Sequence, residues 1–155
     1  MADLVPVPAS VKIVSGGLRG GPDVSGEALT AGQACYKKVA DGLWYKAQND
    51  SVDPVTSTDE AGGKGLGIAM NSAPGAGQPV SLIHNGEGSA FTPGVPVVVG
   101  EIYCLSASSG GICPKADVTS GKYLTIIGYG SYGDDTTTTR INTAGVMIAT
   151  GVKVA

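Results

Sequence analysis

One pattern of residues occurs twice in this chain and constrains its fold more than any other feature. The first copy reads GQACY from Gly32 and, after a short turn, GLWYKA; the second reads GEIYC from Gly100 and, after its turn, GGICPKA. The interval from Lys46 to Lys115 in the closing segments equals the interval between the opening glycines to within one position. Short apolar runs on either side of a glycine-containing turn are typical of a β-hairpin. The sequence therefore predicts a duplicated hairpin.

Each hairpin is followed by two further apolar or β-branched runs. Residues 66–70 and 79–83 follow the first copy, and residues 123–129 and 137–141 follow the second. The repeated unit is thus predicted to be a four-stranded meander. Two more strands are predicted, one at residues 95–99 and one at residues 145–154, and the last of these is open to pairing with another subunit.

Glycine and proline dominate the composition, with 25 and 9 residues, while charged residues make up only 15%. These two residues interrupt helices and supply turns between short strands. A chain of 155 residues has the size of one domain that can bury its own core. We therefore expect an all-β protein in which residues 27–155 form one compact β-barrel or sandwich-like domain with duplicated hairpins.

Residues 1–26 differ from the rest of the chain. Pro6 and Pro8 oppose a helix and favour extended backbone, and only the run from Val11 to Val14 has a β-like pattern. We expect an extended N-terminal arm that adds a strand to a neighbouring subunit, with a frayed terminus as the alternative. Val11 and Ile13 are the residues of this arm expected to make the contact.

Charge and hydropathy exclude several classes of partner. The net charge is −3 and the pI is about 4.9, without the clustered Lys and Arg that phosphate backbones require. The sequence contains no apolar run of the roughly 20 residues that a membrane helix needs. Its first residues lack the basic start and apolar middle of a signal peptide. The expectation is a protein made in a cytosol that binds neither nucleic acid nor membrane.

The sequence contains no pattern typical of an active site. His84 is the single histidine, so a nucleophile has no histidine partner other than this one. The glycine-rich stretches lack the lysine and Ser or Thr of a phosphate loop. The acidic residues of the polar segment 49–65 lack the spacing of a calcium loop, and this segment is expected to be an exposed loop. We expect neither enzymatic activity nor a cofactor or metal site.

The three cysteines are an odd number without ligand-like spacing. Buried thiols are the favoured interpretation, since unpaired cysteine is among the most buried residue types. Cys104 and Cys113 lie on either side of the second turn, so a cross-strand disulfide stays open if the protein leaves a reducing cell.

Several of these segments carry a resemblance to a known family. EALTAGQACY at residues 27–36, GLGIA at 65–69, GQPVSL at 77–82 and VGEIYCLS at 99–106 are similar to segments of the small β-rich decoration, or cement, proteins of tailed-phage capsids. The shared motif is a Leu-x-x-Gly-x-x-x-Tyr hairpin followed by a Gly-x-Ala strand. The duplicated hairpin and the segment 49–65 depart from the smaller members.

The resemblance implies a non-enzymatic virion protein, synthesised in the host cytoplasm, that binds the major capsid protein on the capsid exterior as a homotrimer. Its subunit contacts are expected to use Tyr36, Trp44, Phe91 or Tyr103; for Trp44 a place in the core is the other interpretation, and both are preferred to stacking on a base. The alternative function is a receptor-binding or head-fibre domain that displays the loops at residues 49–65 and 131–138.

Overall fold

The computed structural model of the chain describes residues 3–16, 23–50, 65–84, 89–133, 139–143 and 147–155. Their regular structure is β-strand except for two single-turn 3-10 helices at Pro8–Ser10 and Lys115–Asp117. The predicted all-β class is confirmed. The strands form separate antiparallel sheets in a sandwich-like arrangement and not a closed barrel. Most of the predicted polar loop, at residues 51–64, and the threonines at 136–138 lie outside the described residues.

All described strands except the two longest, Tyr123–Tyr132 and Ile148–Lys153, have at most four residues, as the dense spacing of turn residues predicts. In chain order they are β1 Lys12–Ser15, β2 Asp23–Val24, β3 Ala34–Lys37, β4 Trp44–Lys46, β5 Leu66–Ala69, β6 Pro79–Val80, β7 Leu82–His84, β8 Ala90–Thr92, β9 Ile102–Leu105, β10 Ile112–Pro114, β11 Tyr123–Tyr132, β12 Thr139–Asn142 and β13 Ile148–Lys153.

The two copies of the repeat have the same strand order. A four-stranded sheet runs β4-β3-β5-β7, and a seven-stranded sheet runs β1-β8-β12-β11-β9-β10, with β13 also paired to β11. Within the larger sheet, β10-β9-β11-β12 reproduces the order of the smaller one. Each copy therefore contains four strands, but the predicted meander is wrong. The third strand of each copy pairs with the first strand of its hairpin and not with the second. A third, two-stranded sheet joins β2 to β6.

Glycines with positive φ occupy equivalent places in the two hairpins. Gly32 and Gly100, which open the copies, have φ angles of 92° and 83°, and Gly42 and Gly110, in the turns, have 72° and 76°. Other residues rarely adopt this left-handed region. The repeat in the sequence is thus also a repeat of backbone conformation.

Backbone hydrogen bonds repeat in the same way. The N–H of Gly32 donates to the carbonyl of Ala69 at 2.8 Å, and the N–H of Gly100 donates to that of Gly130 at 2.9 Å. In each copy the opening glycine is therefore joined to the C-terminal part of the third strand.

The two hairpins turn opposite faces toward one shared core. Tyr36 and Cys104 occupy equivalent positions of the two copies, yet Tyr36 packs between the sheets whereas Cys104 lies in a cluster on the outer face. Conversely, Cys35 lies on an outer face and Tyr103 packs in the core. The order Cys-Tyr in the first copy and Tyr-Cys in the second compensates for this change of face. As a result, the tyrosine points inward and the cysteine outward in both.

Apolar side chains from both sheets make up the shared core. The four-stranded sheet and the seven-stranded sheet each contribute buried residues to one cluster, including Ala34, Tyr36, Leu66, Ile68 and Ile83 from the first and Phe91, Tyr103, Leu105, Ile127 and Ile141 from the second. Burial of this apolar surface is the main favourable contribution to the free energy of folding.

Asn49 connects the first hairpin to the second copy. Its side-chain Nδ2 donates to the carbonyl of Leu105 at 3.0 Å, and its backbone N–H donates to that of Ser106 at 3.2 Å. Its own carbonyl accepts from the N–H of Tyr123 at 2.8 Å. Asn49 is buried, so the prediction that the exposed loop begins at this residue is wrong. Its Nδ2 and both backbone groups thus have partners, while its Oδ1 has none among the described residues.

The described part of the N-terminal segment packs on its own chain. β1 pairs with β8, with Ile13 opposite Phe91, and β2 pairs with β6. Leu4 N–H donates to the carbonyl of Ile112 at 2.8 Å. These strands therefore belong to sheets of the same chain. β1 is the edge strand of its sheet among the described strands, and an edge presents backbone groups to which a further strand can pair. The addition of a strand to a neighbouring subunit therefore stays a prediction.

The C-terminal segment contains the predicted last strand. β13 pairs with β11 of the same chain, with Ile126 opposite Ile148. The strand predicted at residues 95–99 is absent from the structure, which describes all five of these residues. Pro96 has no N–H to donate, and the N–H of Val97 donates to the side-chain Oγ1 of Thr139 at 2.9 Å instead of to a strand.

Candidate interaction surface

The contacts of His84 join two strands of different sheets. Its Nε2 lies 2.9 Å from Oδ2 of Asp23, and its ring packs edge-on against Trp44 with the ring centroids 5.3 Å apart. These contacts join β7 to β2 of the small sheet. In the part of the chain that the structure describes, no group of three or more His, Cys, Asp or Glu side chains is placed to hold a metal ion.

The residues predicted to form subunit contacts lie in or against the core of a single chain: Val11, Ile13, Tyr36, Trp44, Phe91 and Tyr103. Trp44, Phe91 and Tyr103 are at most 1% exposed, and a side chain this deeply buried has no surface for another copy. Their assignment to an interface is corrected, and the core interpretation of Trp44 is the one that the structure bears out. Ile13 alone is only partly buried, and it packs against the shared core.

The outer face of the four-stranded sheet is covered by the chain itself. The segment around Leu29, the small β2–β6 sheet and the turn after β5 lie over it, and Leu29 bridges to Ala73 in that turn. Beneath them is a closed apolar cluster of Leu29, Cys35, Trp44, Ala69, Ala73, Val80 and Leu82. Every member is buried.

The described residues cover only part of the outer face of the seven-stranded sheet. Cys104, Cys113 and Val118 form a small buried cluster there, beside the 3-10 turn Lys115–Asp117. Four apolar side chains next to this cluster remain exposed and are called the outer patch: Ile102, Tyr129, Ile148 and Val152, with exposures of 36%, 39%, 55% and 58%.

Strand register places the outer patch on one face. Ile102 is directly opposite Tyr129, and cross-strand partners project from the same side of a sheet. Ile148 is opposite Ile126, which packs against the cysteine cluster of the outer face. Val152 is opposite Leu124, which packs there too. The outer patch therefore continues the face of the cysteine cluster, and no segment among the described residues lies over it.

Comparisons of the chain with family models, with curated proteins and with solved structures found no match. Among the described residues, no helix has the length and apolar character needed to cross a membrane.

The exposed end of the first hairpin has a different chemistry. The Tyr45 hydroxyl donates to Oδ2 of Asp41 at 2.6 Å, and the Lys38 ammonium lies 5.2 Å from the centre of the Tyr45 ring. The hydrogen bond lowers the pKa of Asp41 below its usual value and raises the pKa of Tyr45 to about 12. The carboxylate is thus held ionised and the phenol protonated over the neutral range, which is suited to holding the hairpin and not to proton transfer.

The outer patch was not predicted from the sequence, although part of its signal is visible there. Ile148 and Val152 are apolar residues in the segment predicted as the last strand, and an apolar residue of an edge strand can face the core or solvent. Ile102 and Tyr129 lie on strands whose neighbouring residues, Tyr103 and Gly128, are buried. Only the positions of the covering segments decide which face is left exposed.

Proposed function

We propose that this chain is a structural virion protein that attaches to the outer surface of a phage capsid and stabilises the shell. The observation that carries the proposal is the difference between the two outer faces of a duplicated fold. One face is closed by the chain's own segments, and the other keeps an apolar patch exposed on a sheet. We assign the outer patch to the contact with the major capsid protein.

Exposed apolar residues are common singly, but a group on one sheet face is typical of an interaction site. Four side chains in register on β9, β11 and β13 form such a group. Covering them contributes about 25 cal/mol for each Å² removed from water. This supports attachment through a flat sheet face, which suits a broad shell surface.

A single small patch binds weakly, because stable interfaces bury about 800 Å² on each partner. Linked copies compensate for this weakness, since the second contact of an assembly forms at high effective concentration. The expected homotrimer would present three patches to the shell. The low content of charged residues, 15%, limits repulsion between crowded copies.

The resemblance of the segments GQACY and GEIYC to decoration proteins supports the same role. Both segments lie in the opening strands of the two hairpins. Neither carries catalytic chemistry in that family, which is consistent with a protein that acts by binding alone.

The test is co-sedimentation of the purified protein with DNA-free shells of the phage that encodes it, after its oligomeric mass has been measured by light scattering. The double variant Ile148→Lys, Val152→Lys places two charges in the outer patch. We expect it to lower the amount bound by at least about tenfold, because desolvating a charge in an apolar contact is unfavourable.

The matched control is Val5→Lys, Val39→Lys, which changes two exposed valines outside the patch. We expect it to bind as the unchanged protein does. Equal binding by both variants would exclude the outer patch as the attachment surface. A protein that ignores shells but binds host cells would exclude decoration and favour the receptor-binding alternative.

A further inference from the structure

Cys104 and Cys113 face each other across the second hairpin. They are register partners on β9 and β10, and both side chains lie in the outer-face cluster with Val118. Both occur as unpaired thiols in the structure. Cys35, the third cysteine, lies in the separate cluster that covers the other sheet. One intramolecular pairing is therefore favoured over the other two.

The hairpin pattern brings the two cysteines to a distance that a disulfide can span. The N–H of Ser106 donates to the carbonyl of Gly111 at 3.0 Å, and antiparallel pairs alternate, so Cys104 and Cys113 two positions further along form a pair of the same hydrogen-bonded kind. The Cα atoms of such pairs are typically about 5.5 Å apart. Disulfides accept Cα separations of roughly 4.4–6.8 Å, with the Cβ atoms roughly 3.5–4.5 Å apart. Because the Cβ atoms of a hydrogen-bonded pair lie toward the upper end of roughly 4.5–5.5 Å, β9 and β10 must approach slightly when the bond forms.

We propose that Cys104 and Cys113 form a cross-strand disulfide when the protein meets a disulfide oxidant of the glutathione type. The inference rests on the proposed function only for the source of the oxidant, because a protein on the outside of a released particle leaves the reducing cytosol. The bond would tie β10, an edge strand, to β9.

The reaction is two thiol–disulfide exchanges. The thiolate of one cysteine attacks a sulfur of oxidised glutathione and displaces one glutathione thiolate, leaving a mixed disulfide. The thiolate of the second cysteine attacks the protein sulfur of that mixed disulfide and displaces the second glutathione. Two electrons pass from the protein to glutathione, and the two protons leave with the released thiols. The contact of the Cys113 thiol with the Leu105 carbonyl, 3.7 Å away, is lost.

Burial makes this oxidation slow. Desolvation raises the pKa of Cys104 to about 11, with Lys115 opposing this shift and Glu101 adding to it. Desolvation also raises the pKa of Cys113 to about 12, and Asp3, Cys104 and Asp117 add to that shift. Since the thiolate is the attacking species, we expect the rate to rise about tenfold for each pH unit between about pH 7 and 8. The two thiols therefore stay reduced during a short exposure to the oxidant and form the disulfide during a long one.

The test is incubation of the folded protein with oxidised glutathione at about pH 8, followed by alkylation of the remaining thiols in denaturant and mass spectrometry. Chymotrypsin cleaves after Leu105, between the two cysteines, so a disulfide joins two otherwise separate peptides. We expect the Cys104 and Cys113 peptides to be linked while Cys35 is alkylated. Subsequent dithiothreitol should return both thiols.

The variant Cys35→Ser should leave the linked peptides unchanged, and Cys104→Ser should abolish them. Persistent alkylation of Cys104 and Cys113 in the unchanged protein would overturn the proposal, as would links to Cys35 at equal yield. Neither readout requires shells. A failure of the shell-binding experiment and a failure of this one are therefore separate results.

Discussion

Trp44 shows how one residue of this chain is determined by its neighbours. It is 1% exposed and lies against β5, where a side-chain carbon at Gly67 would approach the indole to 3.2 Å. Glycine at this position is what lets the large ring lie close against the sheet. The indole Nε1 has no hydrogen-bond partner among the described residues. Its contribution to stability therefore comes from apolar packing.

We expect Trp44→Ala to lower the free energy of unfolding by about 3–5 kcal/mol, the usual effect of removing a buried aromatic side chain. Urea denaturation followed by circular dichroism measures it, because the variant lacks the fluorescent indole. Trp44→Phe keeps an aromatic ring in most of this space, so its free energy of unfolding should fall clearly less than that of Trp44→Ala. A loss below about 1 kcal/mol for the alanine variant would contradict a core role.

The two hairpins have glycines of similar φ in their turns but differ in what surrounds these glycines. Gly42 and Gly110 both have positive φ. A side-chain carbon at Gly42 would meet nothing within 4 Å, whereas one at Gly110 would lie 3.1–3.2 Å from the side chain of Gln33. The first turn is open to solvent, and the second is packed against the first copy of the repeat.

We expect Gly42→Ala to destabilise the protein by about 1–2 kcal/mol, the difference that a left-handed conformation imposes on a non-glycine residue. Gly110→Ala should lower the free energy of unfolding further, because the side chain of Gln33 must also move. Gly75→Ala is the matched control, with open space and no positive φ, and should stay within about 0.5 kcal/mol. Equal losses at residues 42 and 75 would show that the φ angle is not limiting. The measurement is the urea midpoint at constant slope.

The three cysteines of the molecule lie on the outer faces of its two larger sheets. Each lies outside the shared core, in one of the two outer clusters. Burial raises the pKa of Cys35 to about 12, and those of Cys104 and Cys113 to about 11 and 12, from a usual value of 9.0. A buried thiol keeps its proton to a higher pH than the same thiol in the unfolded chain. The folded state thus binds more protons than the unfolded chain above about pH 9.

Stability should therefore be unaffected by the thiols below about pH 9 and fall as the pH rises from about 9 toward 12, where the unfolded chain loses these protons first. Unfolding in urea at about pH 8 and about pH 10.5 measures the fall. Cys35→Ala should reduce the slope of stability against pH. Tyr45→Phe is a needed control, because the raised pKa of Tyr45 acts in the same direction. An identical slope in Cys35→Ala would show that this thiol is not protected in the folded state.

Much of the fold was predictable from local information. The glycines that recur at a constant interval in the two copies mark turns whose backbone conformation other residues rarely adopt, and the short apolar runs between them leave room only for strands. The all-β class, the two hairpins and the four-strand repeat therefore follow from the sequence, whereas the pairing of each third strand with the first strand of its hairpin, in place of a meander, does not. The strand predicted at residues 95–99 failed because Pro96 removes a donor that a strand needs, a signal that was present and was outweighed by four valines.

The outer patch and the direction of each hairpin were decided by the tertiary structure alone. The order Cys35-Tyr36 in the first copy and Tyr103-Cys104 in the second shows that the two copies bury opposite faces. The alternation of residues along a strand does not by itself determine which of the two faces is buried. The N-terminal segment covers its own chain by pairing with β6 and β8, two strands that lie far from it in the sequence. Such long-range contacts depend on the assembled core, and they determine which apolar residues are buried and which remain for a partner.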